Sequence, residues 1–153
     1  MLFLLFQLGK NRYALDIAQV AEVLPWVTIT PLPRSPPEVA GVFNYRGAPV
    51  PVIDLCQLTL DRPARRLLST RVVVMHYADE SGAERLLGLI AEGATETLRC
   101  DPARFCASGV GTAAAGALGP VALDEQGVVQ RVDLNGLLPA SVRKLLFQQT
   151  AER

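Results

Sequence analysis

Few side chains in this sequence have the chemistry for catalysis or metal binding. His76 is the single histidine, set in the apolar run RVVVMHYA. Three cysteines, Cys56, Cys100 and Cys106, lack a C-x-x-C pair. An odd number without that spacing suggests neither a disulfide framework nor a zinc site. A Cys/His couple is one way to build a small cytoplasmic enzyme, yet no nucleophile signature surrounds any of the three thiols. Asp54 and Asp133 are the other chemical reading, a carboxylate pair for hydrolysis. Each follows a short apolar run and precedes Leu55 or Leu134, the setting of a helix N-cap. They are therefore expected to cap separate helices, and convergence in one pocket would revive an enzyme. No catalytic residue, metal or cofactor is assigned.

Charge narrows the field further. Lys plus Arg and Asp plus Glu both number 15, so there is no field of one sign to draw nucleic acid or anionic lipid. Nine aromatics spread over a neutral chain do not make a stacking groove for single strands. Arg62, Arg65 and Arg66 cluster in TLDRPARRLLST, which has no clean period and is read as a solvated crossover and a lobe boundary. The apolar opening MLFLLFQLG lacks a basic leader and a cleavage site and is too short to span a bilayer, so it is read as a strand.

The elements that must position these groups are mostly strands. Leu2 to Leu8 and Arg12 to Leu15 flank Gly9-Lys10-Asn11 as a hairpin. Asp16 with Gln19 has capping-box spacing, and Ile17, Val20, Val23 and Leu24 predict a helix closed by Pro25. Trp26 to Thr30 is expected as a strand, and Ser35-Pro36 with Glu38 as a second capping box starting one helical turn. GVFNYRGAPVPVIDL predicts strands Val42 to Arg46 and Pro49 to Ile53 around a Gly-Ala turn. Pro49 and Pro51 remove two donors from one side of the second arm, which makes it an edge, a bulge or a rim. Further strands are expected at Arg71 to Ala78, Arg85 to Ile90 and Ala94 to Leu98, with a short helix after Asp101. After a Gly/Ala-rich stretch at 107–119, a hairpin at Ala117 to Leu123 and Val128 to Leu134 precedes a terminal helix from Ser141 to Gln149.

The chain also repeats itself. YALDIAQVAEVL, from Tyr13, aligns without a gap on LGLIAEGATETL, from Leu87, keeping Leu15/Leu89, Glu22/Glu96 and Leu24/Leu98. VPVIDLCQL, from Val50, aligns on VQRVDLNGL, from Val129, in the same order. Two similar β-rich lobes, each ending in an Asp-capped helix, follow from this.

Phe6 onward, FxLGxxxYALDIxxVxEVL, and then ITPLPRSPPEVAGVFNYRGAPVPVIDL resemble the CheW-like coupling proteins of bacterial chemosensory arrays. The resemblance is dense up to Leu58 and thinner afterwards. It implies a mainly β fold of two SH3-like five-stranded β-barrel lobes side by side, with short helices and a C-terminal helix. Lobe one would run over roughly 10–70 and lobe two over 71–135, with terminal segments exchangeable between them. It implies no enzyme activity and a stand-alone coupler in the cytoplasm, associated with membrane receptor arrays but not inserted in the membrane. The implied partners are the regulatory domain of a CheA-type histidine kinase and the cytoplasmic tip of a methyl-accepting chemoreceptor, with no nucleic acid. The wording of RGAPVPVIDL is closer to couplers of surface-sensing and biofilm arrays than to those of flagellar chemotaxis.

Carried over residue by residue, the partner-binding set is Val20, Glu22, Val23, Gly41, Asn44 and Arg46. Glu22 occupies the Glu of VxEVL and Arg46 the Arg of NxRG, and the two are expected to form an ion pair across helix and hairpin. An exposed pair contributes only about 0–1 kcal/mol, so its value would lie in geometry rather than stability.

Overall fold

The computed structural model describes residues 1–106 and 120–147; the Gly/Ala-rich stretch at 107–119 and the end of the expected terminal helix lie outside them. In chain order the strands are β1 (Leu2–Leu8), β2 (Asn11–Asp16), β3 (Val20–Leu24), β4 (Val39–Tyr45), β5 (Ala48–Asp54), β6 (Arg71–Ala78), β7 (Glu84–Ala91), β8 (Glu96–Arg99), β9 (Val121–Asp124) and β10 (Gly127–Arg131). Helices are short: α1 (Leu55–Leu60), α2 (Leu134–Leu137) and α3 (Ala140–Leu145). No described helix is long and apolar enough to cross a membrane.

Two five-stranded sheets result, ordered β8-β1-β2-β10-β9 (sheet one) and β3-β6-β7-β5-β4 (sheet two). Each contains one parallel pair, β2 with β10 and β5 with β7. The repeat seen in the sequence carries through to register. Val52 lies opposite Gly88 in sheet two and Arg131 opposite Ala14 in sheet one, and these are positions that the two sequence alignments superpose. The sheets therefore do not divide the chain at residue 70. Sheet one takes its first hairpin from the N-terminal half and β8, β9 and β10 from the C-terminal half, while sheet two does the reverse. The segment at 61–70 connects α1 to β6 inside the second sheet's share of the chain, and the chain passes between sheets after β2 and again after β7.

Burial explains the sequence pattern. Phe3 and Leu5 of β1 face a small core within sheet one, with Ala14, Phe105, Ala122 and Val129. Leu4, Phe6 and Leu8, the alternate residues, enter the main core between the sheets, against Val73, Met75 and Tyr77 of β6. Val72 and Val74 of β6 turn the other way into a third core with Phe43, Val50, Val52 and Ile90. Successive strand residues point to opposite faces, so a strand covered on both faces must be apolar throughout, as LFLLF and VVVM are.

Each sheet curls into a lobe, closed by its own edge strands in sheet two and by the segment after β8 folding onto β9 in sheet one, which is the behaviour expected of SH3-like lobes. β3 and β4 are opposite edges of sheet two, yet the Tyr45 hydroxyl on β4 donates to the Glu22 carboxylate on β3 at 2.7 Å. In sheet one, Cys106 bridges to Val121 at the start of β9, and Arg104 donates to the Leu123 carbonyl at 3.1 Å.

Several local expectations give way to tertiary structure. Asp16 caps as expected, accepting from the Ala18 amide, but only a single 3-10 turn follows, Ile17–Gln19. Val20–Leu24 is a strand: its apolar spacing mimics a helix, and pairing with β6 decides otherwise. Trp26 to Thr30 makes one bridge, Thr30 to Val42, rather than a strand. Ser35 does not cap a helix; its hydroxyl donates back to the Leu32 carbonyl, and a turn leads directly into β4. The terminal helix begins one residue early and ends at Leu145.

Candidate partner-docking site

The β4–β5 hairpin is closed by Arg46-Gly47, not Gly47-Ala48. Tyr45 pairs with Ala48, and Arg46 and Gly47 both adopt positive φ, 53° and 88°. Two such residues form a type I′ turn, which matches the twist of the strands it joins. Asn44 supports it: its Oδ1 accepts from the Gly47 amide at 2.8 Å. This geometry lifts Arg46 off the strand and into solvent, with 75% of its side chain exposed. The proline arm fits the same register. With Tyr45 and Ala48 as the closing pair, the missing donors of Pro49 and Pro51 lie on the side away from β4. There β7 joins the ladder only from Val52 onward.

β3 brings the complementary group. A bulge between Val20 and Glu22 shifts its register against β6, and bulges re-aim side chains at sheet edges. Glu22 Oε1 accepts two hydrogen bonds, from Tyr45 Oη at 2.7 Å and from Arg46 Nη2 at 3.0 Å. The Arg46 guanidinium also lies 5.3 Å from the centre of the Tyr45 ring. The expected Glu22–Arg46 ion pair is thus present, between a strand and a turn instead of a helix and a hairpin. The Tyr45 phenol is raised above its ordinary pKa, chiefly because it donates to the Glu22 carboxylate.

The remaining assigned residues separate by environment. Val23 is exposed and neighbours Glu22 along the strand, so it faces the other way. Val20 is half-buried and packs against the main core. Gly41 is buried with φ 143°, and a Cβ placed there would fall 2.1 Å from the Thr30 carbonyl oxygen. Its lack of a side chain lets Thr30 and Val42 exchange backbone hydrogen bonds at 2.9 Å. That contact closes the lobe, which is a structural task.

Sequence reasoning missed three sets of contacts. Arg62 and Arg65 are not simply solvated: both guanidinium groups and the Arg65 amide bind the Glu92 carboxylate, whose side chain is only 6% exposed. Arg62 is the main cause holding Glu92 at a pKa of about 2. Arg66 lies over the Trp26 ring at 4.4 Å. Arg12 forms a two-pronged pair with Asp124 at 2.8 and 2.6 Å. No spacing signal could locate these, because the partners come from distant parts of the chain.

The chemistry proposed for rival groups is not assembled. Cys56 is fully buried, and burial above all pushes its thiol up to about 12, so it is no nucleophile. His76 sits on the surface beside Glu84, in a groove with Gln19 and Asp133 that no cysteine lines. Asp54 accepts from the amides of Cys56, Gln57 and Ala64, so its oxygens are engaged in capping α1 and tethering the crossover. Asp133 holds the matching place before α2, where its carbonyl accepts from the Leu137 amide. Among the described residues, no group of three or more His, Cys, Asp or Glu side chains could hold a metal.

The model of the CheW-like domain matches residues 2–142. The chain belongs to the CheW-like family. It is 30% identical over 96 residues to the chemotaxis protein CheW of Klebsiella aerogenes, covering 63% of this chain and 55% of that protein. Protein FrzA of Myxococcus xanthus is 36% identical over 90 residues, covering 57% of this chain and 56% of that one. The matches thus span little more than half the length of these curated relatives. The fold is that of the scaffolding protein TtCheW from Thermoanaerobacter tengcongensis, with a TM-score of 0.76 over 90% of this chain and 87% of that one, at 24% identity. Within this CheW-like chain, the paired Glu22 and Arg46 stand at the VxEVL and NxRG positions.

Proposed function

We propose that this chain is a non-catalytic coupling protein that joins the cytoplasmic tips of methyl-accepting chemoreceptors to the regulatory domain of a CheA-type histidine kinase. It works in the cytoplasm, within arrays gathered at membrane receptors, and the RGAPVPVIDL wording favours an array of the surface-sensing type. The reading rests on the CheW-like match combined with one observation: Glu22 and Arg46, 24 residues apart, meet on an exposed rim. In this reading Glu22, Val23 and Arg46 touch the partner. Val20, Gly41 and Asn44 hold the strand, the lobe closure and the turn that present them.

An adaptor of this kind needs no pocket chemistry. It needs a surface of stated polarity on a rigid support, and many weak contacts gain strength by avidity in an array. Pull-down with a receptor-tip fragment and with the kinase regulatory domain tests the proposal. Wild-type protein is expected to capture both, and Arg46→Ala to lose the receptor tip while keeping its circular-dichroism spectrum. A folded wild-type sample that captures neither overturns it.

A further inference from the structure

We propose that Tyr45 is a positioning residue of this rim: its hydroxyl fixes the Glu22 carboxylate so that Oε1 is occupied within the chain and Oε2 is presented to a hydrogen-bond donor on the partner. The inference deepens the docking reading above and rests on it. The NxRG pattern leaves the position of Tyr45 open, so nothing in the resemblance assigns it a role.

The geometry carries the argument. Both donors that reach Glu22, Tyr45 Oη and Arg46 Nη2, converge on one oxygen. Among the described residues no donor reaches Oε2, and 34% of the Glu22 side chain remains exposed. Arg46 alone is a poor anchor, since it is a long side chain standing largely in water on a turn. Tyr45 is different. Its ring packs at 6.0 Å against Phe43, which is 4% exposed and belongs to the core of sheet two. The carboxylate is thereby tied through two aromatic rings to the buried core of the lobe. A tyrosine loses little conformational freedom on fixing its hydroxyl, which suits it to orienting another group.

The partner chemistry follows. A side chain that docks here must bring an N–H donor to Oε2 and an acceptor to the remaining N–H groups of Arg46, which is the signature of a neighbouring basic or amide residue and carboxylate. The equivalent place in sheet one holds Asp124, whose carboxylate cannot donate, so only one of the two lobes carries the device.

Tyr45→Phe keeps the ring and removes the donor. In the free protein, ultraviolet titration should show a phenol raised above its ordinary value that is missing in Tyr45→Phe and returns toward 10 in Glu22→Gln; Tyr13 and Tyr77 are raised by burial and stay unchanged. Binding to the receptor-tip fragment should weaken by about 3- to 10-fold in Tyr45→Phe, the size of a typical net hydrogen bond. In the Glu22→Ala background, which leaves the Tyr45 hydroxyl no acceptor at this position, the same change should cost nothing more. Tyr45→Phe binding like wild type overturns the inference and leaves the docking reading standing. Additive losses also overturn it, because Tyr45 would then touch the partner directly. A wild-type chain that binds no receptor tip overturns the docking reading and this inference with it.

Discussion

Sheets one and two repeat the same strand order and the same parallel register, but they treat their charged rims differently. In sheet two, Glu22 and Arg46 close the lobe at an exposed turn, with about a third of the Glu22 side chain and three quarters of the Arg46 side chain in solvent. In sheet one, the place of Tyr45 is taken by Asp124, which is bound on both oxygens by Arg12; these side chains are 23% and 17% exposed. The interiors differ in parallel. Phe43 fills the core of sheet two opposite Gly88, where a Cβ would lie 3.2 to 3.4 Å from Val52, Phe43 and Val72. Sheet one has Ala122 and Ala14 at those places and fills the space with Phe3 and Phe105. One scaffold thus supports a lobe closed by a mostly covered ion pair and a lobe whose ion pair stands largely in solvent.

Gly41→Ala should show the largest effect, because the new Cβ meets backbone at Thr30 and the φ is unfavourable for any L side chain. A loss of more than about 3 kcal/mol in urea unfolding is expected. The matching position in sheet one is Pro120, so the closure of the two lobes is achieved by opposite backbone devices.

Glu92→Gln should follow, at about 1–3 kcal/mol, since a neutral amide at this buried position weakens the charge-assisted hydrogen bonds from Arg62 and Arg65. The same residue dictates a pH response. Its folded pKa lies near 2, below the ordinary 4.5. The stability it contributes is therefore complete above the ordinary value and is lost as pH falls from about 4.5 toward 2. Asp124, also held near 2 by Arg12, adds to the loss over a similar window. Glu92→Gln should flatten the fall in urea midpoint over that range.

Arg12→Ala tests the covered rim directly. About 1–2 kcal/mol of stability should disappear, because Asp124 loses a two-pronged partner in a half-buried place, with receptor-tip binding unchanged. Arg46→Ala should do the reverse, moving stability by less than about 0.5 kcal/mol while abolishing capture. If the two variants exchanged phenotypes, the contrast between covered and exposed rims would be wrong.

Much of this was legible in the sequence, for reasons that can be named. β1 and β6 announce themselves because both faces are covered, and the hairpins do so because Gly9, Asp79-Gly82 and Gly127 mark their turns. Asp16 and Asp54 read correctly as caps because capping is local chemistry. β3 did not, since five residues with Val20, Val23 and Leu24 fit a helical face as well as a strand, and only β6 arbitrates. The turn at Arg46-Gly47 was displaced by one residue because glycine can occupy either place in a two-residue loop. The Glu22–Arg46 pair came from the family pattern, whereas Tyr45 was invisible to it. Glu92 was hidden because its arginines follow it in space and not in sequence.

The reciprocal sharing of strands also sets a timetable during synthesis. Sheet two has all its strands once β7 has left the ribosome, but β1 and β2 must wait for β10, more than a hundred residues later. At about 5–20 residues per second that delay is roughly 5–20 s. The alternate face of β1 can be covered once β6 has emerged, but Phe3 and Leu5 wait through the whole interval for Ala122 and Val129, so the nascent chain should depend on holding chaperones more than its mature surface would suggest.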